Sequence, residues 1–321
     1  MAFTSDTLIA DVKRRASIPT SQNLFTDADF LELANSEILI GILPSVMQLQ
    51  EEHFVYEVDV TLVASVSKYK IPYRAVGGKL RDLFYKDTNG NLQEMTRISP
   101  DDRSYFQGTS GSNHYQAYYI QGEDIILTPG VGTTPSGSLV MTFYLRPNQL
   151  VAETRVGVIS EITEGDTTTV FTLSSIPAVF YDSDFALATS KFDILQFKPA
   201  HRTKTFDILA TEVDSTAKTV TFNNSDLPDG IEVGDHIALA GECIIPQIPT
   251  DLHPVLAQRV TARCLEAMGD QNGLQAANTK LAEMEVKTGT LIDSRVEGST
   301  LKINNIRGLL RSGKARRRGW Y

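Results

Sequence analysis

Apolar residues recur every three to four positions at both ends of this chain and every second position through its middle, so helices must flank a sheet. Leu8, Val12 and Ala16 mark a first helix, which "IPTSQN" breaks at Pro19. Phe30, Leu33, Ala34, Ile38 and Ile42 form the stripe of a second helix running up to Pro44. Thr26, with Asp29 three residues on, has the spacing of a capping box at its start. From His53 the period drops to two, and Phe54, Tyr56, Val58, Val60 and Leu62 alternate with Val55, Glu57, Asp59 and Thr61 as one half-buried strand.

Asn89-Gly90 sits between two strand-like runs and predicts a hairpin whose turn positions both have positive φ. Ser99 is placed to cap a short helix over "PDDRSYF", and "HYQAYYIQGEDIILTPG" and "GSLVMTFYLRP" supply further strands. Helical spacing then returns with Leu252, Val255, Leu256, Val260, Leu265 and Met268, behind Thr250 as N-cap. After the "GDQNG" turn, Leu274, Ala277, Leu281, Met284, Thr288 and Leu291 carry a last helix to about residue 293.

The expected fold is therefore α+β, with N- and C-terminal helices packed as one bundle against an antiparallel β region. Residues 151–245 differ in texture, being rich in Thr, Val, Phe and Asp with a turn about every ten residues. They read as a small all-β domain of barrel or sandwich type, which gives a first part at 1–150, the β domain at 151–245, closing helices at 246–300 and a tail at 301–321. Within the β domain "VISEITEGDTTTVFTL" and "ILATEVDSTAKTVTF" share a pattern that a duplication or convergent hairpin chemistry explains equally well.

Charge is distributed unevenly. The chain carries −9 in all, yet its last twenty residues hold seven basic side chains and no acid, leaving −16 on the other 301. An acidic body is a poor general binder of nucleic acid, whereas the basic end is a local contact device. No leader-like apolar core or membrane-spanning run is read from the sequence, which implies a protein made in a cytoplasm with no membrane partner.

Catalytic signatures are missing. There is no HExxH, phosphate-binding loop or GxSxG elbow, and Pro135 spoils any GxGxxG reading of the nearby glycines. Cys243 and Cys264 form neither a disulfide framework nor a zinc site. His53, His114, His201, His236 and His253 fit surface or capping roles, and the pairs Glu51-Glu52 and Asp101-Asp102 fit solvated helix ends or turns. No enzyme activity, cofactor or metal is expected.

The stretches "TLIADVKRRASIP", "SKYKIPYRAVGGKLRDLFYKDTNGNLQEMTRISPDDRSYF", "MTFYLRPNQL" and "IPTDLHPVLAQRVTARCLEAMGD", in that order, resemble the head-to-tail connector (adaptor, or neck) proteins of tailed bacteriophages. The resemblance implies a structural virion protein in which a bundle built from both chain ends carries a β region. It implies a homo-oligomeric ring of about a dozen copies, a dodecamer, below the portal vertex. Such a ring extends the DNA channel, lets DNA pass, and joins capsid to the next neck or tail protein. Residues 1–150 and 246–321 would be the connector proper, and 151–245 an insertion.

The same resemblance makes the tail a portal-binding element, through Ile306, Arg307, Leu309, Leu310, Arg311, Lys314, Arg316, Arg317, Arg318, Trp320 and Tyr321. Apolar residues and two terminal aromatics suit anchoring in a protein groove, with arginines steering the approach. A solubilising end and direct contact with packaged DNA are the competing readings of this segment. For the whole chain the competitors are another tail or baseplate component and a cell-wall-degrading virion enzyme.

Overall fold

A computed structural model describes residues 3–19, 24–106, 117–182, 184–198 and 202–292. Five α-helices lie at its two ends: α1 (Ser5–Arg15), α2 (Asp27–Glu37), α3 (Leu43–Leu49), α4 (His253–Met268) and α5 (Gln271–Ile292). Thr4 caps α1 by accepting the Thr7 N–H, and Lys13, Arg14 and Arg15 sit in its last turn, where cations offset the negative end of the helix dipole. The capping box at α2 is present in both directions. Thr26 Oγ1 accepts the Asp29 N–H at 3.3 Å, and the Asp29 carboxylate accepts the Thr26 N–H at 2.6 Å.

The second helix does not stop at Pro44 as expected. A π turn, Ile38–Ile42, joins α2 to α3, and the Leu43 N–H reaches five residues back to the Ile38 carbonyl. Pro44 falls in the first turn of α3, where its missing N–H leaves no helical bond unmade. The run Asp27–Leu49 is consequently long and apolar enough, by length and composition, to cross a membrane, a property hidden when the helix is ended at Pro44. Its apolar face is already occupied, since Phe30, Leu31, Ala34, Ile38, Ile42 and Val46 are buried in the helical core.

That core is the bundle expected from the sequence: α4 packs on α1, α2 and α5. Val12, Ala34, Leu256 and Val260 are fully buried, and burial of each Val or Leu contributes about 1.5–3 kcal/mol. Two details differ from expectation. Thr250 begins a 3-10 turn, Thr250–Leu252, and caps nothing; Pro254 in the first turn of α4 sets that helix's start instead. Met268 is exposed, because α4 has by then left the core and Gly269, at φ +74°, closes it in the left-handed region.

The middle of the chain opens with β1 (Val55–Thr61), β2 (Lys68–Lys70), β3 (Ala75–Lys86), β4 (Leu92–Glu94), β5 (Thr96–Arg97), β6 (Ala117–Gln121), β7 (Asp124–Thr128) and β8 (Ser138–Leu145). They form two four-stranded sheets, β1-β8-β3-β4 and β2-β7-β6-β5, which share one core that includes Leu83, Ile125, Leu139, Met141 and Phe143. All neighbours are antiparallel except β5 and β6. The β3–β4 hairpin exists, but its turn is not the tight one predicted. Only Gly90 has positive φ, and the Asp87 carboxylate accepts the N–H groups of Asn89 and Asn91 across a longer loop. Ser99 does meet the Asp101 N–H at the head of the 3-10 segment Pro100–Phe106.

The remaining strands are β9 (Gln149–Leu150), β10 (Gly157–Glu164), β11 (Thr168–Leu173), β12 (Lys191–Leu195), β13 (Thr203–Leu209), β14 (Glu212–Asp214), β15 (Thr219–Asn223), β16 (His236–Leu239) and β17 (Glu242–Cys243). Seven of them make one antiparallel sheet in the order β13-β12-β16-β10-β11-β15-β14. It curls over a single apolar core, since Ile208 near one edge and Val213 at the other join Phe171, Phe192 and Phe222 in one cluster. The two similar stretches become the hairpins β10–β11 and β14–β15, which abut through their return strands with Phe171 opposite Val220. β9 and β17 pair in parallel beneath the bundle. Asn35 of α2 clamps Leu150 with hydrogen bonds in both directions, and the Ser5 N–H donates to the Ile244 carbonyl.

Candidate functional site

The eleven tail residues predicted to bind a partner, Ile306 through Tyr321, lie outside the described residues. The helix that leads to them, α5, ends at Ile292 beside a groove of about 300 Å³. Ser45 and Leu49 of α3 form one wall, Gly289 and Ile292 of α5 the other, and Leu252 and Val255 also line it. Arg259 closes one end, donating to Glu37 at 3.2 Å and to Glu285 at 2.5 Å, while Arg263 reaches the other Glu37 oxygen at 2.7 Å. Gly41 makes this possible, because a Cβ there would collide with the Arg259 guanidinium. Leu39 and Ile40, on the π turn, and Val286 are exposed apolar side chains of the same bundle.

A second constellation lies where the β regions meet. Asp193 in β12 is fully buried, as is nearly all of Arg74, just before β3. One Asp193 oxygen accepts from Arg74 Nη2 at 2.7 Å, Asn148 Nδ2 at 2.7 Å and the Gly241 N–H at 2.9 Å. The other accepts the Asp207 N–H at 3.0 Å. Asp207 holds a left-handed conformation, φ +60°, in a bulge of β13, and its carboxylate accepts the Tyr73 hydroxyl at 2.5 Å and lies 3.5 Å from Arg74 Nη1. Asn148 extends the network to Gln247, which continues to Thr203. Sequence reasoning missed this cluster. Its one outward signal is an acid inside the apolar run "FDIL".

These groups tie segments of the two β regions together. Arg74 stacks on Phe206 at 5.6 Å, and Phe206 in turn packs on Tyr56 and Phe143 of the first β region. A buried charge pair so saturated with partners fixes geometry more than it adds stability.

Two of the histidines, His236 and His253, depart from the surface or capping roles expected of them. His253 is wholly buried; its Nδ1 accepts the Phe3 N–H at 3.0 Å, so Nε2 carries the proton toward the Pro246 carbonyl at 3.2 Å. His236 is also buried, tilted against Phe197. His53 lies 3.3 Å from Arg202, and burial together with that guanidinium pushes its pKa down to about 4. His114 and His201 lie outside the described residues. Glu51 is a tie and not a free acid, since it accepts from Arg81 at 3.0 Å and Tyr144 at 2.9 Å. Cys243 and Cys264 are buried, and burial raises both thiols, Cys264 to about 11. Among the described residues no group of three or more His, Cys, Asp or Glu side chains could hold a metal ion.

No curated protein matches the chain. A family model described as SU10 adaptor protein matches residues 3–189, from α1 across both sheets of the first β region and through the β10–β11 hairpin. That span is more than half of the chain, and the protein therefore belongs to the SU10 adaptor protein family.

Proposed function

We propose that the chain is a subunit of a ring-shaped head-to-tail connector in a tailed bacteriophage, seated below the portal and joining capsid to tail. Family membership over residues 3–189 carries this reading. The ring is a homo-oligomer of about a dozen copies, assembled in the host cytoplasm and placed in the virion neck. Its lumen extends the DNA channel, and the next neck or tail protein takes its far face. A body of −16 supports a wall that repels phosphate and lets DNA slide. The role is structural, with no reaction and no membrane contact.

The tail docks on the portal in this proposal. Arg307, Arg311, Lys314 and Arg316 to Arg318 steer it, while Ile306, Leu309, Leu310, Trp320 and Tyr321 anchor it. The closing helices 246–300 complete the connector domain begun by 1–150, and 151–245 either decorates the outside of the ring or meets a tail protein. Deleting residues 307–321 tests the tail: the subunit should stay folded and soluble but fail to attach to portal-bearing heads. Normal attachment of the truncated chain would refute the docking role. Attachment by the full chain should weaken as salt rises if the arginines dominate. Electron microscopy of particles should place the protein in a ring coaxial with the portal; density at a baseplate would move it to another tail component.

A further inference from the structure

We propose that the apolar stretch 303–310 of this same chain docks in the groove between α3 and α5, so that the free subunit holds its tail against its own bundle. Four observations converge on this occupant. First, Ile42, Val46, Leu49, Leu252, Val255 and Ile292 give the groove an aliphatic lining, with Ser45, Gln48, Arg259 and Glu285 among them, and at about 300 Å³ it takes a few aliphatic side chains. Second, it is open where a side chain would otherwise fill it, since nothing lies within 4 Å of a Cβ built on Gly289. Third, the chain leaves the described structure at the groove itself, because Ile292 forms part of its wall. Fourth, the next strongly apolar segment in sequence is Ile303, Ile306, Leu309 and Leu310, whose aliphatic side chains match the aliphatic part of the lining.

Length and concentration favour the chain's own segment. Ten residues separate Ile292 from Ile303. Extended, they reach at most ~35 Å, ample to double back along the wall. A tether of ten residues holds the segment at an effective concentration on the order of 1 mM, so even a contact of millimolar affinity would be half occupied. A neighbour's tail or a foreign protein would have to be present at comparable concentration or bind more tightly. The inference goes beyond portal docking: residues engaged in cis must be displaced before they engage anything else, so the partner competes with the groove for them.

The test uses the full chain carrying Ser45→Cys and Leu309→Cys, treated with a short bis-maleimide at low micromolar protein. The native thiols, Cys243 and Cys264, are buried and raised in pKa, so they leave the background quiet. The expected product is a monomer linked between positions 45 and 309. It should form at least tenfold faster than the link in a Ser160→Cys/Leu309→Cys control, whose partner thiol sits at an exposed position of β10. Adding Gly289→Trp, which fills the groove, should cut the rate to the control level. Leu310→Asp should do the same from the tail side, so the test survives if the tryptophan variant folds poorly. Links only between chains, equal rates in both cysteine pairs, or a rate unchanged by both blocking substitutions would each overturn the proposal. None of these outcomes depends on heads or portals, so failure here is distinguishable from failure of the docking role.

Discussion

Asp193→Ala removes the acceptor on which Arg74, Asn148, Gly241 and Asp207 converge. Breaking a buried ion pair from one side costs about 3–5 kcal/mol, because the surviving charge stays in a dry site. Two backbone N–H groups, of Gly241 and Asp207, also lose their acceptor, at about 1–3 kcal/mol for each that water cannot reach. These contributions overlap, and Asp207, 3.5 Å from Arg74, takes up part of the orphaned charge. The net loss should be about 4 kcal/mol, a large share of the ~5–15 kcal/mol that keeps a domain folded. Replacing both charges, Arg74→Met with Asp193→Leu, should cost less than the sum of the single changes, with a coupling on the order of 2 kcal/mol. Urea unfolding followed by far-ultraviolet circular dichroism measures this; fluorescence does not suit, since the single tryptophan, Trp320, is in the tail. A loss under about 1 kcal/mol for Asp193→Ala, or strictly additive single effects, would refute the idea that this cluster holds the β regions together.

Two further outcomes are expected. Thr26→Ala should lower stability by about 1 kcal/mol and fray the start of α2, while Thr26→Ser should be nearly silent; amide hydrogen exchange at Asp27–Phe30 reads both. His53 ties stability to pH, because burial and Arg202 hold it near pKa 4, below its ordinary 6.5. Between pH 6.5 and about 4 the unfolded chain takes up a proton that the native state refuses, so stability falls with pH across that window and flattens below it. After allowance for partial exposure the total is up to about 2 kcal/mol, and thermal melts of His53→Gln should lose that slope.

The ends of the chain were the most legible part, because their apolar stripes obey a period that only a helix satisfies. Leu8, Val12, Phe30, Ala34, Leu256 and Val260 are all buried where that spacing puts them. Boundaries were harder: Thr250 resembles a cap in isolation, and only the position of Pro254 shows where α4 begins. The β1 alternation also holds from Tyr56 on, with Tyr56, Val58 and Val60 packed on the sheet core and Glu57, Asp59 and Thr61 exposed, while Phe54 falls in a 3-10 turn before the strand and is buried in the helical core. Asp193 was invisible for a physical reason. Alternation sends the residue between Phe192 and Ile194 outward, but the bulge opposite Asp207 breaks the pattern, and four consecutive residues of β12 are buried. Its partners lie at positions 74, 148, 207 and 241, so no local window contains the network. The groove was illegible too, since its walls come from opposite ends of the chain.

The wide turn at Ile38–Ile42 keeps the second helix in phase. Phe30, Ala34, Ile38, Ile42 and Val46 are all buried, and they recur strictly every fourth residue. On a regular α-helix each such step overshoots a full turn by about 40°, so four steps would carry the stripe roughly 160° around the axis and leave Val46 in water. A turn that spends more residues per revolution takes back that drift. The same turn excuses Pro44 from donating a bond. A proline inside a helix and an apolar repeat of four, which look unrelated along the sequence, are thus one adaptation, and the helix absorbs what amounts to an inserted residue without rotating its buried stripe off the core.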